Sequence, residues 1–275
     1  MRDLLIPDIM HFEPSVIPPA SPTDQAWSFA FVEGQLLLPG DEGPLTPGPL
    51  IDAEVRHYLG RLGGLDAWAM QAGIVPQGWR TVTLRTAMME LPAPHGGLAG
   101  RASQLLEWDR AHRFCGVCGT PTERLEHERA RQCPACKNLA YPRLTPAMMV
   151  QIWRPGELLL ARSPRFAPGT YSALAGFVEA GESIEECVMR EAFEEVGVRI
   201  KDLRYYGSQS WPFPNSLMIA FTAQWESGDI VPQPGEIEDA RWFAPDALPN
   251  IPPRFSISGH LIRDTVTALA EGRLV

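Results

Sequence analysis

A cluster of three glutamates is the first feature of the sequence that could carry out chemistry. Glu191, Glu194 and Glu195 would fall within about one and a quarter turns of a helix. Carboxylates this close repel one another unless a cation lies among them. Ligation by oxygen alone suits Mg2+ or Mn2+. The cluster therefore predicts a divalent-metal site that could neutralise a diphosphate and activate water for attack on phosphorus.

Two pairs of cysteines form a second candidate site. Cys115 and Cys118 enclose two residues, Cys133 and Cys136 enclose two more, and fourteen residues separate the pairs. Such pairs can direct four sulfurs at one centre, which is the tetrahedral arrangement that Zn2+ prefers. Four thiolates leave no open position for water, so the spacing predicts a structural zinc ion. Redox pairs or plain buried thiols are the alternative. The fifth cysteine, Cys187, is expected to be a small packing residue.

Composition limits the class of protein. The chain has 275 residues, of which 45% are hydrophobic, and a formal net charge of -9. This allows a packed core in two modest domains or one large one, and the negative charge argues against binding nucleic acid through charge alone. No apolar run approaches the roughly 20 residues that span a bilayer, and the N-terminal segment lacks the apolar stretch of a signal peptide. We predict a cytoplasmic protein without membrane contact.

A helix at about 183–196 is predicted to carry the glutamates. Ser183 and Glu186 form a capping box at its start, and a glycine follows its end. Apolar residues at every fourth position predict a buried stripe: Ile184, Val188, Ala192 and Val196. Ahead of the helix, Glu182 is expected to form an ion pair with Arg190. A solvated acidic helix is the alternative, but a charge run alone would not also supply the caps and the stripe.

The remaining elements are predicted from hydrophobic periodicity. Predicted strands lie at 27–38 (a hairpin), 81–84, 147–153, 157–161, 218–225 and 240–243. Predicted helices lie at 51–62, 65–72, 98–112 and 257–271. Prolines and glycines at 92–97 indicate a linker, and no internal repeat is found. We predict four parts: an N-terminal α+β domain at 1–95, a connecting helix at 96–113, a zinc ribbon at 114–140 and a larger domain at 141–275.

The glutamate segment resembles the Nudix box, Gly-x5-Glu-x7-Arg-Glu-U-x-Glu-Glu-x-Gly-U, where U is aliphatic. The matching positions are Gly176, Glu182, Arg190, Glu191, Ala192, Glu194, Glu195, Gly197 and Val198. The cysteine pairs before Tyr141-Pro142-Arg143 and the segment SQSWPFPNS at 208–216 resemble the NADH pyrophosphatase and NAD-capped RNA decapping subfamily, whose pattern is SQPWPFPxS. Ser210 replaces that proline. The resemblance runs from about Trp108 to the C-terminus and is weaker across 1–95.

The resemblance implies a fold and a set of site residues. The fold would be α+β: a Nudix α/β/α sandwich with a mixed sheet, preceded by the zinc ribbon and the smaller N-terminal domain. Glu191, Glu194 and Glu195 would be catalytic and would bind the metals together with Glu236 and the carbonyl of Ala175. Structural positions of the box would be Gly176, Glu182, Arg190 and Gly197. Substrate would contact Tyr141, Phe177, Gln209, Ser210, Trp211, Pro212, Phe213, Pro214, Asn215, Ser216, Ser256, Ile257 and Ser258.

The activity implied by this resemblance is hydrolysis of a dinucleotide diphosphate. With Mg2+ or Mn2+, hydrolysis of NADH or NAD+ would yield (reduced) nicotinamide mononucleotide and AMP. Removal of an NAD cap from RNA would leave a 5′-monophosphate end. The subfamily is homodimeric, which implies a homodimer here. A broader hydrolase of ADP-ribose or other nucleoside diphosphates is one alternative, which the 208–216 segment disfavours. A Nudix-fold regulator is disfavoured by the intact glutamates, and a zinc-ribbon nucleic-acid adaptor by the mixed charges of the ribbon.

Overall fold

The computed structural model describes residues 12–40 and 45–274, and these form two compact units. We call residues 144–211 and 216–274 the C-terminal unit. The N-terminal unit comprises the other described residues, including the short segment 212–215. Helices and mixed sheets occur in both units, so the α+β prediction is confirmed. None of the helices in the described part of the chain is both long and apolar enough to cross a membrane.

A six-stranded mixed sheet forms the core of the N-terminal unit. Its strands are β1 (Phe12–Pro14), β2 (Ala26–Val32), β3 (Gln35–Pro39), β4 (Val55–Leu62), β5 (Leu65–Gln71) and β6 (Trp79–Val82). Their spatial order is β1-β4-β5-β2-β3-β6, with β2 and β5 parallel and the other pairs antiparallel. Two helices follow, α1 (Leu84–Glu90) and α2 (Ala93–Ala111). The apolar residues of α2 pack against β2, β4 and β5.

Four sequence predictions differ from the structure in this unit. The segments 51–62 and 65–72, predicted as helices, contain the antiparallel strands β4 and β5. Their apolar spacing also suits a helix, but Gly63 and Gly64, at φ 58° and 80°, form the turn of a hairpin. The predicted linker at 92–97 begins α2 instead, because prolines in a first turn lack only an N–H that has no intrahelical acceptor. The strand predicted at 81–84 ends at Val82.

A small antiparallel sheet surrounds the cysteine pairs, also within the N-terminal unit. Its strands are β7 (Glu123–Arg124), β8 (Arg131–Gln132) and β9 (Leu139–Ala140). Each strand has only two residues, too few to build a hydrophobic core. The segment must therefore be held together by something other than packing of its own side chains.

The C-terminal unit is a mixed sheet with one helix on each face. Its strands are β10 (Thr145–Arg154), β11 (Glu157–Arg162), β12 (Leu174–Phe177), β13 (Arg199–Trp211), β14 (Ser216–Ser227) and β15 (Asp239–Phe243), and its helices are α3 (Ile184–Val196) and α4 (Ile257–Ala270). The strand order is β13-β14-β10-β11-β15, with β12 paired to β10. Apolar residues of α3 enter the core on one face and those of α4 the core on the other. The predicted α/β/α sandwich is confirmed.

The two large sheets repeat one strand order, which the sequence analysis failed to detect. β4-β5-β2-β3-β6 in the N-terminal unit corresponds to β13-β14-β10-β11-β15 in the C-terminal unit. In each of these two large sheets one inner pair, β2 with β5 or β10 with β14, is parallel, and the other pairs of the shared order are antiparallel. A repeat of strand order and direction does not require matching side chains, so it leaves no period in the sequence.

Candidate active site

Local sequence signals fix the helix that carries the glutamates. The Ser183 side chain accepts from the Glu186 N–H and the Glu186 side chain accepts from the Ser183 N–H, which is the predicted capping box. Gly197 ends α3 at φ 75°. Val188, Ala192 and Val196 are fully buried, as the predicted stripe requires. α3 therefore begins, ends and faces the core as the sequence predicts.

Arg190 connects the loop before α3 to the glutamates on it. Its Nε and Nη2 donate to the two Glu182 carboxylate oxygens at 2.7 and 2.9 Å, which confirms the predicted ion pair. Its Nη1 donates to Glu191 at 2.9 Å and to Glu194 at 3.0 Å. The bonds from Arg190 are the main reason that the pKa of Glu182 is lowered to about 2. One arginine thus holds the loop in place and offsets part of the repulsion between carboxylates.

Glu195 is the most buried carboxylate of the cluster. It is 8% exposed, and its Oε2 has no hydrogen-bond partner. Burial, followed by the charges of Glu191 and Glu236, raises its pKa to about 8, while the Ala175 N–H opposes the shift. Burial also raises the pKa of Glu191. A buried carboxylate oxygen without a donor costs free energy unless a cation meets it, so this donor set fits a divalent cation with oxygen ligands.

The strand beside α3 leaves room for the Glu191 carboxylate. A Cβ on Gly176, in β12, would lie 2.0 Å from the Glu191 carboxylate carbon and from its Oε1. Real Cβ atoms do not approach so closely, so only glycine allows this contact. Ala175, the preceding residue, pairs with Met149 of β10 and is exposed. The glycine of the box therefore has a steric role at this position.

Glu236 reaches the cluster from the loop before β15. Its charge acts on both Glu191 and Glu195. Gln233, which the sequence analysis missed, fastens this loop: its backbone N–H donates to the Glu195 carbonyl at 2.9 Å. With its amide oriented to satisfy both contacts, its side chain donates to the Glu236 carboxylate at 3.2 Å and to the Glu194 carbonyl at 3.3 Å. Only the tertiary fold brings this glutamine to α3.

The residues predicted to contact substrate differ in exposure. Ser210 and Phe177 are exposed, Trp211 is half-buried, and Gln209 and Ser216 are buried. At the start of α4, Ser256, Ile257 and Ser258 are all buried. In the N-terminal unit, Pro212 lies against Gly100, Phe213 stacks on Arg85, Asn215 donates to the Arg143 carbonyl, Pro214 is exposed, and the Tyr141 hydroxyl donates to Glu128.

The four cysteines come together as their spacing predicts. In the part of the chain that the structure describes, the sulfur atoms of these four cysteines all lie within 4.8 Å of one another. Sγ–Sγ distances are 3.5 Å for Cys115–Cys136 and for Cys118–Cys133, near the roughly 3.8 Å expected around tetrahedral zinc. The N–H groups of Val117 and Cys136 donate to sulfur. The set fits one zinc ion. Cys187 is fully buried in the core beside α3, as predicted.

Curated relatives match this chain over most of its length. "NAD-capped RNA hydrolase NudC" of Chromobacterium violaceum is 48% identical, over 89% of this chain and 93% of its own. The protein of that name from Stutzerimonas stutzeri is 55% identical, over 86% of this chain and 88% of its own. This chain belongs to the NudC family. The family resemblance inferred from the sequence is confirmed.

Domain models divide this NudC family member into three matched regions. The NUDIX domain matches residues 143–264, the NADH pyrophosphatase zinc ribbon domain 110–141, and the NADH pyrophosphatase-like rudimentary NUDIX domain 25–108. A solved NUDIX hydrolase from Nitrosomonas europaea is 22% identical, with a TM-score of 0.50, over 59% of this chain and 95% of its own. At that identity the match supports the fold alone. The rudimentary domain agrees with the repeated strand order described above.

Proposed function

We propose that this NudC family member is a metal-dependent pyrophosphohydrolase that cleaves the diphosphate of NADH and NAD+, and of NAD caps on RNA. The orphaned, buried Oε2 of Glu195, inside a carboxylate cluster on a Nudix helix, is the observation that carries the proposal. The names of the NudC relatives support NAD-capped RNA as a substrate. The products would be (reduced) nicotinamide mononucleotide and AMP, or a 5′-monophosphate RNA end.

We assign Glu191, Glu194, Glu195 and Glu236, with the Ala175 carbonyl, to Mg2+ or Mn2+. When bound, these cations would supply positive charge against the diphosphate and polarise water. The residues of the chain do the positioning. Arg190 fixes the orientation of Glu191 and Glu194, and Gly176 leaves space for Glu191. A glutamate of this set accepts the proton of the attacking water while the bridging P–O bond breaks and one phosphate leaves with its nucleoside.

Substrate recognition is proposed for the segments that the resemblance identifies. Tyr141 and Phe177 would flank the nicotinamide, and residues 209–216 and 256–258 would border the dinucleotide. Flat rings gain stacking energy on aromatic faces, of order 1–3 kcal/mol per base. We also propose a homodimer. A cytoplasmic location and the four-part division at 1–95, 96–113, 114–140 and 141–275 remain predictions.

One panel of assays tests the proposed activity. Purified protein is incubated with NADH, NAD+, ADP-ribose and NAD-capped RNA, each with Mg2+ and with Mn2+, and the products are separated by chromatography. We expect nicotinamide mononucleotide and AMP from the free dinucleotides and 5′-monophosphate ends from the RNA. Faster cleavage of ADP-ribose than of every NAD-containing substrate would favour a broader Nudix hydrolase. Tight binding without cleavage would favour a regulator.

We propose that Cys115, Cys118, Cys133 and Cys136 hold one structural zinc ion. Because β7, β8 and β9 have two residues each, metal binding supplies the folding free energy that packing cannot. Cys133→Ser should lose zinc, measured by mass spectrometry of the native protein, and should unfold at lower temperature. Cys187→Ser is the matched control and should keep its zinc. Full zinc content in Cys133→Ser would contradict a four-thiolate site.

A further inference from the structure

Gln209 is a buried glutamine whose two amide atoms are both engaged. It lies on β13, is 2% exposed and pairs with Met218 of β14. Its Oε1 accepts from the Ile257 N–H at 2.7 Å, and its Nε2 donates to the Phe255 carbonyl at 2.9 Å. Rotating the amide by 180° would set oxygen against oxygen and donor against donor. The side chain therefore has one orientation, and the backbone occupies both ends of its amide.

The backbone that Gln209 holds is the start of α4. Ser256 is the N-cap: its Oγ accepts from the Gly259 N–H at 3.1 Å and donates to the Pro253 carbonyl at 2.8 Å. Ser258 bonds through its hydroxyl to Ser172 at 2.7 Å. Gln209 bonds to the backbone on both sides of Ser256, at Phe255 and Ile257, from a strand 46 to 48 residues away in the chain, and so fixes where α4 begins relative to the sheet.

Gln209 and Trp211 act on the same segment. Residues two apart in a strand face the same side of the sheet, and Trp211 stacks on Phe255 with ring centroids 5.8 Å apart and planes inclined by 13°. The strand end that carries the predicted substrate residues is thereby joined to the turn that carries Ser256 and Ser258. A shift of either segment would be transmitted to the other.

We propose that Gln209 is a positioning residue that sets the substrate-binding wall formed by residues 210–211 and 256–258, and that it does not itself contact substrate. This rests on the proposed function, because the wall matters only if a dinucleotide binds there. It differs from the role that the sequence resemblance gives Gln209, which is direct contact. The reason for the difference is that Gln209 is 2% exposed and that each of its amide atoms already bonds to the backbone.

Gln209→Met tests the proposal, because it keeps the side-chain length and removes both hydrogen bonds. We expect the KM for NADH to rise about tenfold, roughly the effect of one lost positioning hydrogen bond, with kcat changed far less. Hydrogen exchange in the peptide spanning 252–260 should accelerate, because the Ile257 N–H loses its acceptor. Gln209→Glu keeps an acceptor for that N–H but places a second oxygen against the Phe255 carbonyl, so it should rescue exchange only in part.

Gln151→Met is the matched control. Gln151 is another fully buried glutamine of the same sheet, and it donates to the carbonyls of Ile152 and Leu159. It should lose stability without a change in KM or in exchange at 252–260. Equal changes in KM for the two variants, or unchanged exchange in Gln209→Met, would overturn the positioning role, as would faster exchange with an unchanged KM. Failure of the wild-type protein to cleave NADH would instead contradict the proposed function, and the substrate-binding wall would then have no role.

Discussion

The N-terminal and C-terminal units share a sheet topology, but only one of them carries a carboxylate cluster on a helix. In the C-terminal unit, α3 lies between β12 and β13 and presents Glu191, Glu194 and Glu195. In the N-terminal unit, the described residues between β3 and β4, which are 40 and 45–54, form no helix. There Leu50, Ile51 and Ala53 pack on the apolar cluster of β2, β3 and β5.

This difference separates what the sheet does from what the site does. A loop that brings three apolar side chains is enough to cover one face of the sheet in the N-terminal unit. The helix in the C-terminal unit covers its sheet and also holds carboxylates that burial alone would disfavour. The repeated topology therefore supports no inference about activity, and the function must be argued from α3 and its neighbours.

Buried carboxylates show the same contrast. In the N-terminal unit, Asp109 is 2% exposed and accepts from Arg124 at 2.8 and 3.0 Å and from Arg131 at 2.6 Å. In the C-terminal unit, Glu195 is 8% exposed, faces other carboxylates and has an oxygen without a partner. Arginines of the chain supply the positive charge beside Asp109. The positive charge that Glu195 requires has to come from a bound ion. We infer that Asp109 serves stability and Glu195 serves function.

Glu195→Gln should give the largest effect. We expect turnover of NADH with Mg2+ to fall about a thousandfold, which matches the several kcal/mol that metal charge contributes to a phosphoryl-transfer transition state. The free energy of unfolding without metal should not fall, because the change relieves repulsion with Glu191 and Glu236. Turnover is measured by product chromatography and stability by urea titration.

Glu185→Gln is the control for that substitution. Glu185 lies in the first turn of the same helix and is exposed, so its neutralisation changes the charge of α3 without touching the cluster. Turnover should stay within about twofold of the wild type, an effect of surface charge alone. Equal losses in both variants would show that the net charge of the helix matters, and not the position of Glu195.

Asp109→Asn should have the opposite profile. Removing one partner of a buried ion pair leaves Arg131 uncompensated, so we expect the free energy of unfolding to fall by about 3 kcal/mol, measured by urea titration. Glu107→Gln, which breaks the exposed pair with Arg110, should cost less than about 1 kcal/mol. If Asp109→Asn were as stable as wild type while losing turnover, the division into structural and functional carboxylates would be wrong.

The parts of this comparison that the sequence could predict are local. Glu191, Glu194 and Glu195 share one helix, and each cysteine pair shares one turn, so spacing along the chain fixes their geometry. Gln233 and Asp109 could not be found in this way. The backbone of Gln233 bonds to Glu195, 38 residues earlier in the chain. Asp109 bonds to Arg124 and Arg131, which lie 15 and 22 residues later.

Results

Sequence analysis

A cluster of three glutamates is the first feature of the sequence that could carry out chemistry. Glu191, Glu194 and Glu195 would fall within about one and a quarter turns of a helix. Carboxylates this close repel one another unless a cation lies among them. Ligation by oxygen alone suits Mg2+ or Mn2+. The cluster therefore predicts a divalent-metal site that could neutralise a diphosphate and activate water for attack on phosphorus.

Two pairs of cysteines form a second candidate site. Cys115 and Cys118 enclose two residues, Cys133 and Cys136 enclose two more, and fourteen residues separate the pairs. Such pairs can direct four sulfurs at one centre, which is the tetrahedral arrangement that Zn2+ prefers. Four thiolates leave no open position for water, so the spacing predicts a structural zinc ion. Redox pairs or plain buried thiols are the alternative. The fifth cysteine, Cys187, is expected to be a small packing residue.

Composition limits the class of protein. The chain has 275 residues, of which 45% are hydrophobic, and a formal net charge of -9. This allows a packed core in two modest domains or one large one, and the negative charge argues against binding nucleic acid through charge alone. No apolar run approaches the roughly 20 residues that span a bilayer, and the N-terminal segment lacks the apolar stretch of a signal peptide. We predict a cytoplasmic protein without membrane contact.

A helix at about 183–196 is predicted to carry the glutamates. Ser183 and Glu186 form a capping box at its start, and a glycine follows its end. Ahead of the helix, Glu182 is expected to form an ion pair with Arg190. A solvated acidic helix is the alternative, but a charge run alone would not also supply the caps and a buried stripe. Apolar residues at every fourth position predict that stripe: Ile184, Val188, Ala192 and Val196.

The remaining elements are predicted from hydrophobic periodicity. Prolines and glycines at 92–97 indicate a linker, and no internal repeat is found. Predicted strands lie at 27–38 (a hairpin), 81–84, 147–153, 157–161, 218–225 and 240–243. Predicted helices lie at 51–62, 65–72, 98–112 and 257–271. We predict four parts: an N-terminal α+β domain at 1–95, a connecting helix at 96–113, a zinc ribbon at 114–140 and a larger domain at 141–275.

The glutamate segment resembles the Nudix box, Gly-x5-Glu-x7-Arg-Glu-U-x-Glu-Glu-x-Gly-U, where U is aliphatic. The matching positions are Gly176, Glu182, Arg190, Glu191, Ala192, Glu194, Glu195, Gly197 and Val198. The cysteine pairs before Tyr141-Pro142-Arg143 and the segment SQSWPFPNS at 208–216 resemble the NADH pyrophosphatase and NAD-capped RNA decapping subfamily, whose pattern is SQPWPFPxS. Ser210 replaces that proline. The resemblance runs from about Trp108 to the C-terminus and is weaker across 1–95.

The resemblance implies a fold and a set of site residues. The fold would be α+β: a Nudix α/β/α sandwich with a mixed sheet, preceded by the zinc ribbon and the smaller N-terminal domain. Glu191, Glu194 and Glu195 would be catalytic and would bind the metals together with Glu236 and the carbonyl of Ala175. Structural positions of the box would be Gly176, Glu182, Arg190 and Gly197. Substrate would contact Tyr141, Phe177, Gln209, Ser210, Trp211, Pro212, Phe213, Pro214, Asn215, Ser216, Ser256, Ile257 and Ser258.

The activity implied by this resemblance is hydrolysis of a dinucleotide diphosphate. With Mg2+ or Mn2+, hydrolysis of NADH or NAD+ would yield (reduced) nicotinamide mononucleotide and AMP. Removal of an NAD cap from RNA would leave a 5′-monophosphate end. The subfamily is homodimeric, which implies a homodimer here. A broader hydrolase of ADP-ribose or other nucleoside diphosphates is one alternative, which the 208–216 segment disfavours. A Nudix-fold regulator is disfavoured by the intact glutamates, and a zinc-ribbon nucleic-acid adaptor by the mixed charges of the ribbon.

Overall fold

The computed structural model describes residues 12–40 and 45–274, and these form two compact units. We call residues 144–211 and 216–274 the C-terminal unit. The N-terminal unit comprises the other described residues, including the short segment 212–215. Helices and mixed sheets occur in both units, so the α+β prediction is confirmed. None of the helices in the described part of the chain is both long and apolar enough to cross a membrane.

A six-stranded mixed sheet forms the core of the N-terminal unit. Its strands are β1 (Phe12–Pro14), β2 (Ala26–Val32), β3 (Gln35–Pro39), β4 (Val55–Leu62), β5 (Leu65–Gln71) and β6 (Trp79–Val82). Their spatial order is β1-β4-β5-β2-β3-β6, with β2 and β5 parallel and the other pairs antiparallel. Two helices follow, α1 (Leu84–Glu90) and α2 (Ala93–Ala111). The apolar residues of α2 pack against β2, β4 and β5.

Two helices predicted in this unit are wrong. The segments 51–62 and 65–72 contain the antiparallel strands β4 and β5 instead. Their apolar spacing also suits a helix, which is why the periodicity misleads. Gly63 and Gly64, at φ 58° and 80°, form the turn between the strands. Two consecutive residues with left-handed φ favour a hairpin and break a helix.

The linker predicted at 92–97 is also wrong, because these residues begin α2. Prolines are tolerated in a first turn, where the missing N–H would have no intrahelical acceptor. The strand predicted at 81–84 ends at Val82, and Thr83 caps α1 by accepting from the Thr86 N–H. The predicted hairpin at 27–38 is confirmed as β2 and β3.

A small antiparallel sheet accompanies the cysteine pairs, also within the N-terminal unit. Its strands are β7 (Glu123–Arg124), β8 (Arg131–Gln132) and β9 (Leu139–Ala140). Each strand has two residues, too few to build a hydrophobic core. The segment must therefore be held together by something other than packing of its own side chains.

The C-terminal unit is a mixed sheet with one helix on each face. Its strands are β10 (Thr145–Arg154), β11 (Glu157–Arg162), β12 (Leu174–Phe177), β13 (Arg199–Trp211), β14 (Ser216–Ser227) and β15 (Asp239–Phe243), and its helices are α3 (Ile184–Val196) and α4 (Ile257–Ala270). The strand order is β13-β14-β10-β11-β15, with β12 paired to β10. Apolar residues of α3 enter the core on one face and those of α4 the core on the other. The predicted α/β/α sandwich is confirmed.

The two large sheets repeat one strand order, which the sequence analysis failed to detect. β4-β5-β2-β3-β6 in the N-terminal unit corresponds to β13-β14-β10-β11-β15 in the C-terminal unit. In each of these two large sheets one inner pair, β2 with β5 or β10 with β14, is parallel, and the other pairs of the shared order are antiparallel. Repetition of strand order and direction does not require matching side chains, so the sequence shows no period.

Candidate active site

Local sequence signals fix the helix that carries the glutamates. The Ser183 side chain accepts from the Glu186 N–H and the Glu186 side chain accepts from the Ser183 N–H, which is the predicted capping box. Gly197 ends α3 at φ 75°. The helix therefore begins and ends where the sequence predicts. Of the predicted stripe, Val188, Ala192 and Val196 are fully buried, and Ile184 is partly buried against the same core. Cys187 is also buried there, as expected of a packing residue.

Arg190 connects the loop before α3 to the glutamates on it. Its Nε and Nη2 donate to the two Glu182 carboxylate oxygens at 2.7 and 2.9 Å, which confirms the predicted ion pair. Its Nη1 donates to Glu191 at 2.9 Å and to Glu194 at 3.0 Å. The bonds from Arg190 are the main reason that the pKa of Glu182 is lowered to about 2. One arginine thus holds the loop in place and offsets part of the repulsion between carboxylates.

Glu195 is the most buried carboxylate of the cluster. It is 8% exposed, and its Oε2 has no hydrogen-bond partner. Burial, followed by the charges of Glu191 and Glu236, raises its pKa to about 8, while the Ala175 N–H opposes the shift. Burial also raises the pKa of Glu191. A buried carboxylate oxygen without a donor costs free energy unless a cation meets it, so this donor set fits a divalent cation with oxygen ligands.

The strand beside α3 leaves room for the Glu191 carboxylate. A Cβ on Gly176, in β12, would lie 2.0 Å from the Glu191 carboxylate carbon and from its Oε1. Real Cβ atoms do not approach so closely, so the contact requires glycine. Ala175, the preceding residue, pairs with Met149 of β10 and is exposed. The glycine of the box therefore has a steric role at this position.

Glu236 reaches the cluster from the loop before β15. Its charge acts on both Glu191 and Glu195. Gln233, which the sequence analysis missed, fastens this loop: its backbone N–H donates to the Glu195 carbonyl at 2.9 Å. With its amide oriented to satisfy both contacts, its side chain donates to the Glu236 carboxylate at 3.2 Å and to the Glu194 carbonyl at 3.3 Å. Only the tertiary fold brings this glutamine to α3.

The residues predicted to contact substrate in the C-terminal unit differ in exposure. Ser210 and Phe177 are exposed, and Trp211 is half-buried. Gln209 and Ser216, which are polar, are nonetheless buried. The three residues at the start of α4 are also buried: Ser256, Ile257 and Ser258. Buried polar side chains must bond to the protein, so these positions need not all face a ligand.

The other predicted substrate residues group with the N-terminal unit. Pro212 is buried, Pro214 is exposed, and the Tyr141 hydroxyl donates to Glu128 at 3.3 Å. Arg85 lies over the ring of Phe213, with its guanidinium carbon 4.5 Å from the ring centroid. The Asn215 side chain donates to the Arg143 carbonyl at 3.3 Å.

The four cysteines come together as their spacing predicts. In the part of the chain that the structure describes, the sulfur atoms of these four cysteines all lie within 4.8 Å of one another. Sγ–Sγ distances are 3.5 Å for Cys115–Cys136 and for Cys118–Cys133, near the roughly 3.8 Å expected around tetrahedral zinc. The N–H groups of Val117 and Cys136 donate to sulfur, as suits thiolates. The set fits one zinc ion.

Curated relatives match this chain over most of its length. "NAD-capped RNA hydrolase NudC" of Chromobacterium violaceum is 48% identical, over 89% of this chain and 93% of its own. The protein of that name from Stutzerimonas stutzeri is 55% identical, over 86% of this chain and 88% of its own. This chain belongs to the NudC family. The family resemblance inferred from the sequence is confirmed.

Three domain families match successive regions of this NudC family member. The NUDIX domain matches residues 143–264, the NADH pyrophosphatase zinc ribbon domain 110–141, and the NADH pyrophosphatase-like rudimentary NUDIX domain 25–108. A solved NUDIX hydrolase from Nitrosomonas europaea is 22% identical, with a TM-score of 0.50, over 59% of this chain and 95% of its own. At that identity the match supports the fold alone. The rudimentary domain agrees with the repeated strand order described above.

Proposed function

We propose that this NudC family member is a metal-dependent pyrophosphohydrolase that cleaves the diphosphate of NADH and NAD+, and of NAD caps on RNA. The orphaned, buried Oε2 of Glu195, inside a carboxylate cluster on a Nudix helix, is the observation that carries the proposal. The names of the NudC relatives support NAD-capped RNA as a substrate. The products would be (reduced) nicotinamide mononucleotide and AMP, or a 5′-monophosphate RNA end.

The catalytic centre is proposed to combine divalent cations with fixed carboxylates. When bound, Mg2+ or Mn2+ would supply positive charge against the diphosphate and polarise water. Arg190 fixes the orientation of two glutamates, and Gly176 leaves space for one of them. A glutamate accepts the proton of the attacking water while the bridging P–O bond breaks and one phosphate leaves with its nucleoside. The proposed metal ligands are Glu191, Glu194, Glu195, Glu236 and the carbonyl of Ala175.

Substrate recognition is proposed for the segments that the resemblance identifies. Tyr141 and Phe177 would flank the nicotinamide, and residues 209–216 and 256–258 would border the dinucleotide. Flat rings gain stacking energy on aromatic faces, of order 1–3 kcal/mol per base. We also propose a homodimer. A cytoplasmic location and the four-part division at 1–95, 96–113, 114–140 and 141–275 stay predictions.

One panel of assays tests the proposed activity. Purified protein is incubated with NADH, NAD+, ADP-ribose and NAD-capped RNA, each with Mg2+ and with Mn2+, and the products are separated by chromatography. We expect nicotinamide mononucleotide and AMP from the free dinucleotides and 5′-monophosphate ends from the RNA. Faster cleavage of ADP-ribose than of every NAD-containing substrate would favour a broader Nudix hydrolase. Tight binding without cleavage would favour a regulator.

We propose that Cys115, Cys118, Cys133 and Cys136 hold one structural zinc ion. Because the strands around them have two residues each, metal binding would supply folding free energy that packing cannot. Cys133→Ser should lose zinc, measured by mass spectrometry of the native protein, and should unfold at lower temperature. Cys187→Ser is the matched control and should keep its zinc. Full zinc content in Cys133→Ser would contradict a four-thiolate site.

A further inference from the structure

Gln209 is a buried glutamine whose two amide atoms are both engaged. It lies on β13, is 2% exposed and pairs with Met218 of β14. Its Oε1 accepts from the Ile257 N–H at 2.7 Å, and its Nε2 donates to the Phe255 carbonyl at 2.9 Å. Rotating the amide by half a turn would set oxygen against oxygen and donor against donor. The side chain therefore has one orientation, and the backbone occupies both ends of its amide.

The backbone that Gln209 holds is the start of α4. Ser256 is the N-cap of this helix, and its Oγ accepts from the Gly259 N–H at 3.1 Å. Ser258 bonds through its hydroxyl to Ser172 at 2.7 Å. Gln209, by contrast, bonds to the backbone on both sides of Ser256, at Phe255 and Ile257, from a strand 46 to 48 residues earlier in the chain. Its two bonds therefore fix where α4 begins relative to the sheet.

Gln209 and Trp211 act on the same segment. Residues two apart in a strand face the same side of the sheet, and Trp211 stacks on Phe255 with ring centroids 5.8 Å apart and planes inclined by 13°. The strand end that carries the predicted substrate residues is thereby joined to the turn that carries Ser256 and Ser258. A shift of either segment would be transmitted to the other.

We propose that Gln209 is a positioning residue that sets the substrate-binding wall formed by residues 210–211 and 256–258, and that it does not itself contact substrate. This rests on the proposed function, because the wall matters only if a dinucleotide binds there. It differs from the role that the sequence resemblance implies for Gln209, which is direct contact. The reason for the difference is that Gln209 is 2% exposed and that each of its amide atoms already bonds to the backbone.

Gln209→Met tests the proposal, because it keeps the side-chain length and removes both hydrogen bonds. We expect the KM for NADH to rise about tenfold, roughly the effect of one lost hydrogen bond, with kcat changed far less. Hydrogen exchange in the peptide spanning 252–260 should accelerate, because the Ile257 N–H loses its acceptor. Gln209→Glu keeps that acceptor but sets a second oxygen against the Phe255 carbonyl, so it should restore slow exchange only in part.

Gln151→Met is the matched control. Gln151 is another fully buried glutamine of the same sheet, and it donates to the carbonyls of Ile152 and Leu159. It should lose stability without a change in KM or in exchange at 252–260. Equal changes in KM for the two variants, or unchanged exchange in Gln209→Met, would overturn the positioning role, as would faster exchange with an unchanged KM. Failure of the wild-type protein to cleave NADH would instead contradict the proposed function, and the substrate-binding wall would then have no role.

Discussion

The N-terminal and C-terminal units share a sheet topology, but they cover their sheets differently. In the C-terminal unit, α3 lies between β12 and β13 and presents the three glutamates of the box. In the N-terminal unit, the described residues between β3 and β4, which are 40 and 45–54, form no helix. There the cluster around Ala30, Leu37 and Met70 is covered by side chains that include Leu50, Ile51 and Ala53.

This difference separates what the sheet needs from what the site needs. In the N-terminal unit, side chains from a loop suffice to cover part of the sheet. The helix in the C-terminal unit covers its sheet and also holds carboxylates that burial alone would disfavour. The repeated topology therefore supports no inference about activity, and the function must be argued from α3 and its neighbours.

Buried carboxylates show a related contrast. In the N-terminal unit, Asp109 is 2% exposed and accepts from Arg124 at 2.8 and 3.0 Å and from Arg131 at 2.6 Å. In the C-terminal unit, Glu195 is 8% exposed, faces other carboxylates and has an oxygen without a partner. Arginines of the chain supply the positive charge beside Asp109. The positive charge that Glu195 requires has to come from a bound ion. We infer that Asp109 serves stability and Glu195 serves function.

Glu195→Gln should give the largest effect. We expect turnover of NADH with Mg2+ to fall about a thousandfold, which matches the several kcal/mol that metal charge contributes to a phosphoryl-transfer transition state. The free energy of unfolding without metal should not fall, because the change relieves repulsion with Glu191 and Glu236. Turnover is measured by product chromatography and stability by urea titration.

Glu185→Gln is the control for that substitution. Glu185 lies in the first turn of the same helix and is exposed, so its neutralisation changes the charge of α3 without touching the cluster. Turnover should stay within about twofold of the wild type, as for an ordinary surface charge. Equal losses in both variants would show that the net charge of the helix matters, and not the position of Glu195.

Asp109→Asn should have the opposite profile. Removing one partner of a buried ion pair leaves Arg131 uncompensated, so we expect the free energy of unfolding to fall by about 3 kcal/mol, measured by urea titration. Glu107→Gln, which breaks the exposed pair with Arg110, should cost less than about 1 kcal/mol. If Asp109→Asn were as stable as wild type while losing turnover, the division into structural and functional carboxylates would be wrong.

The parts of this comparison that the sequence could predict are local. The three box glutamates share one helix, and each cysteine pair shares one turn, so spacing along the chain fixes their geometry. Gln233 and Asp109 could not be found in this way. Gln233 bonds to Glu195, 38 residues earlier in the chain, and Asp109 to arginines 15 and 22 residues later, on strands of the small sheet. Such contacts depend on tertiary structure that periodicity does not report.

Gly176→Ala should have an intermediate effect. The added Cβ would meet the Glu191 carboxylate at 2.0 Å, so this side chain must move. Displacement of a catalytic group by about 1 Å can cost on the order of a hundredfold in rate, and we expect a loss of that size in kcat. Gly48→Ala, where nothing lies within 4 Å of the new Cβ, should retain full activity. A fully active Gly176→Ala enzyme would mean that the position of Glu191 is not critical.

The smallest predicted effect concerns His57, which lies beside Asp109 with its Nε2 3.8 Å from Oδ1. Burial, followed by the charge of Arg124, lowers the pKa of His57 to about 4. Asp109 opposes this shift, and Arg129 and Arg131 add to it. In the unfolded chain the histidine titrates near pH 6.5. Between about pH 4 and 6.5 the unfolded state therefore binds more protons, so the stability of the folded protein must fall as the pH falls through that window.

His57→Gln should remove this part of the pH dependence. We expect the free energy of unfolding of the variant to change less between pH 6.5 and 4.5 than that of the wild type, by at most about 1.4 kcal/mol per pH unit, the limit for one proton. Above pH 6.5 the two slopes should agree. The exposed His127, substituted by Gln, is the control. Identical slopes for wild type and His57→Gln would show that His57 becomes protonated without cost. Asp109 would then still stabilise the protonated ring while it pairs with Arg124 and Arg131.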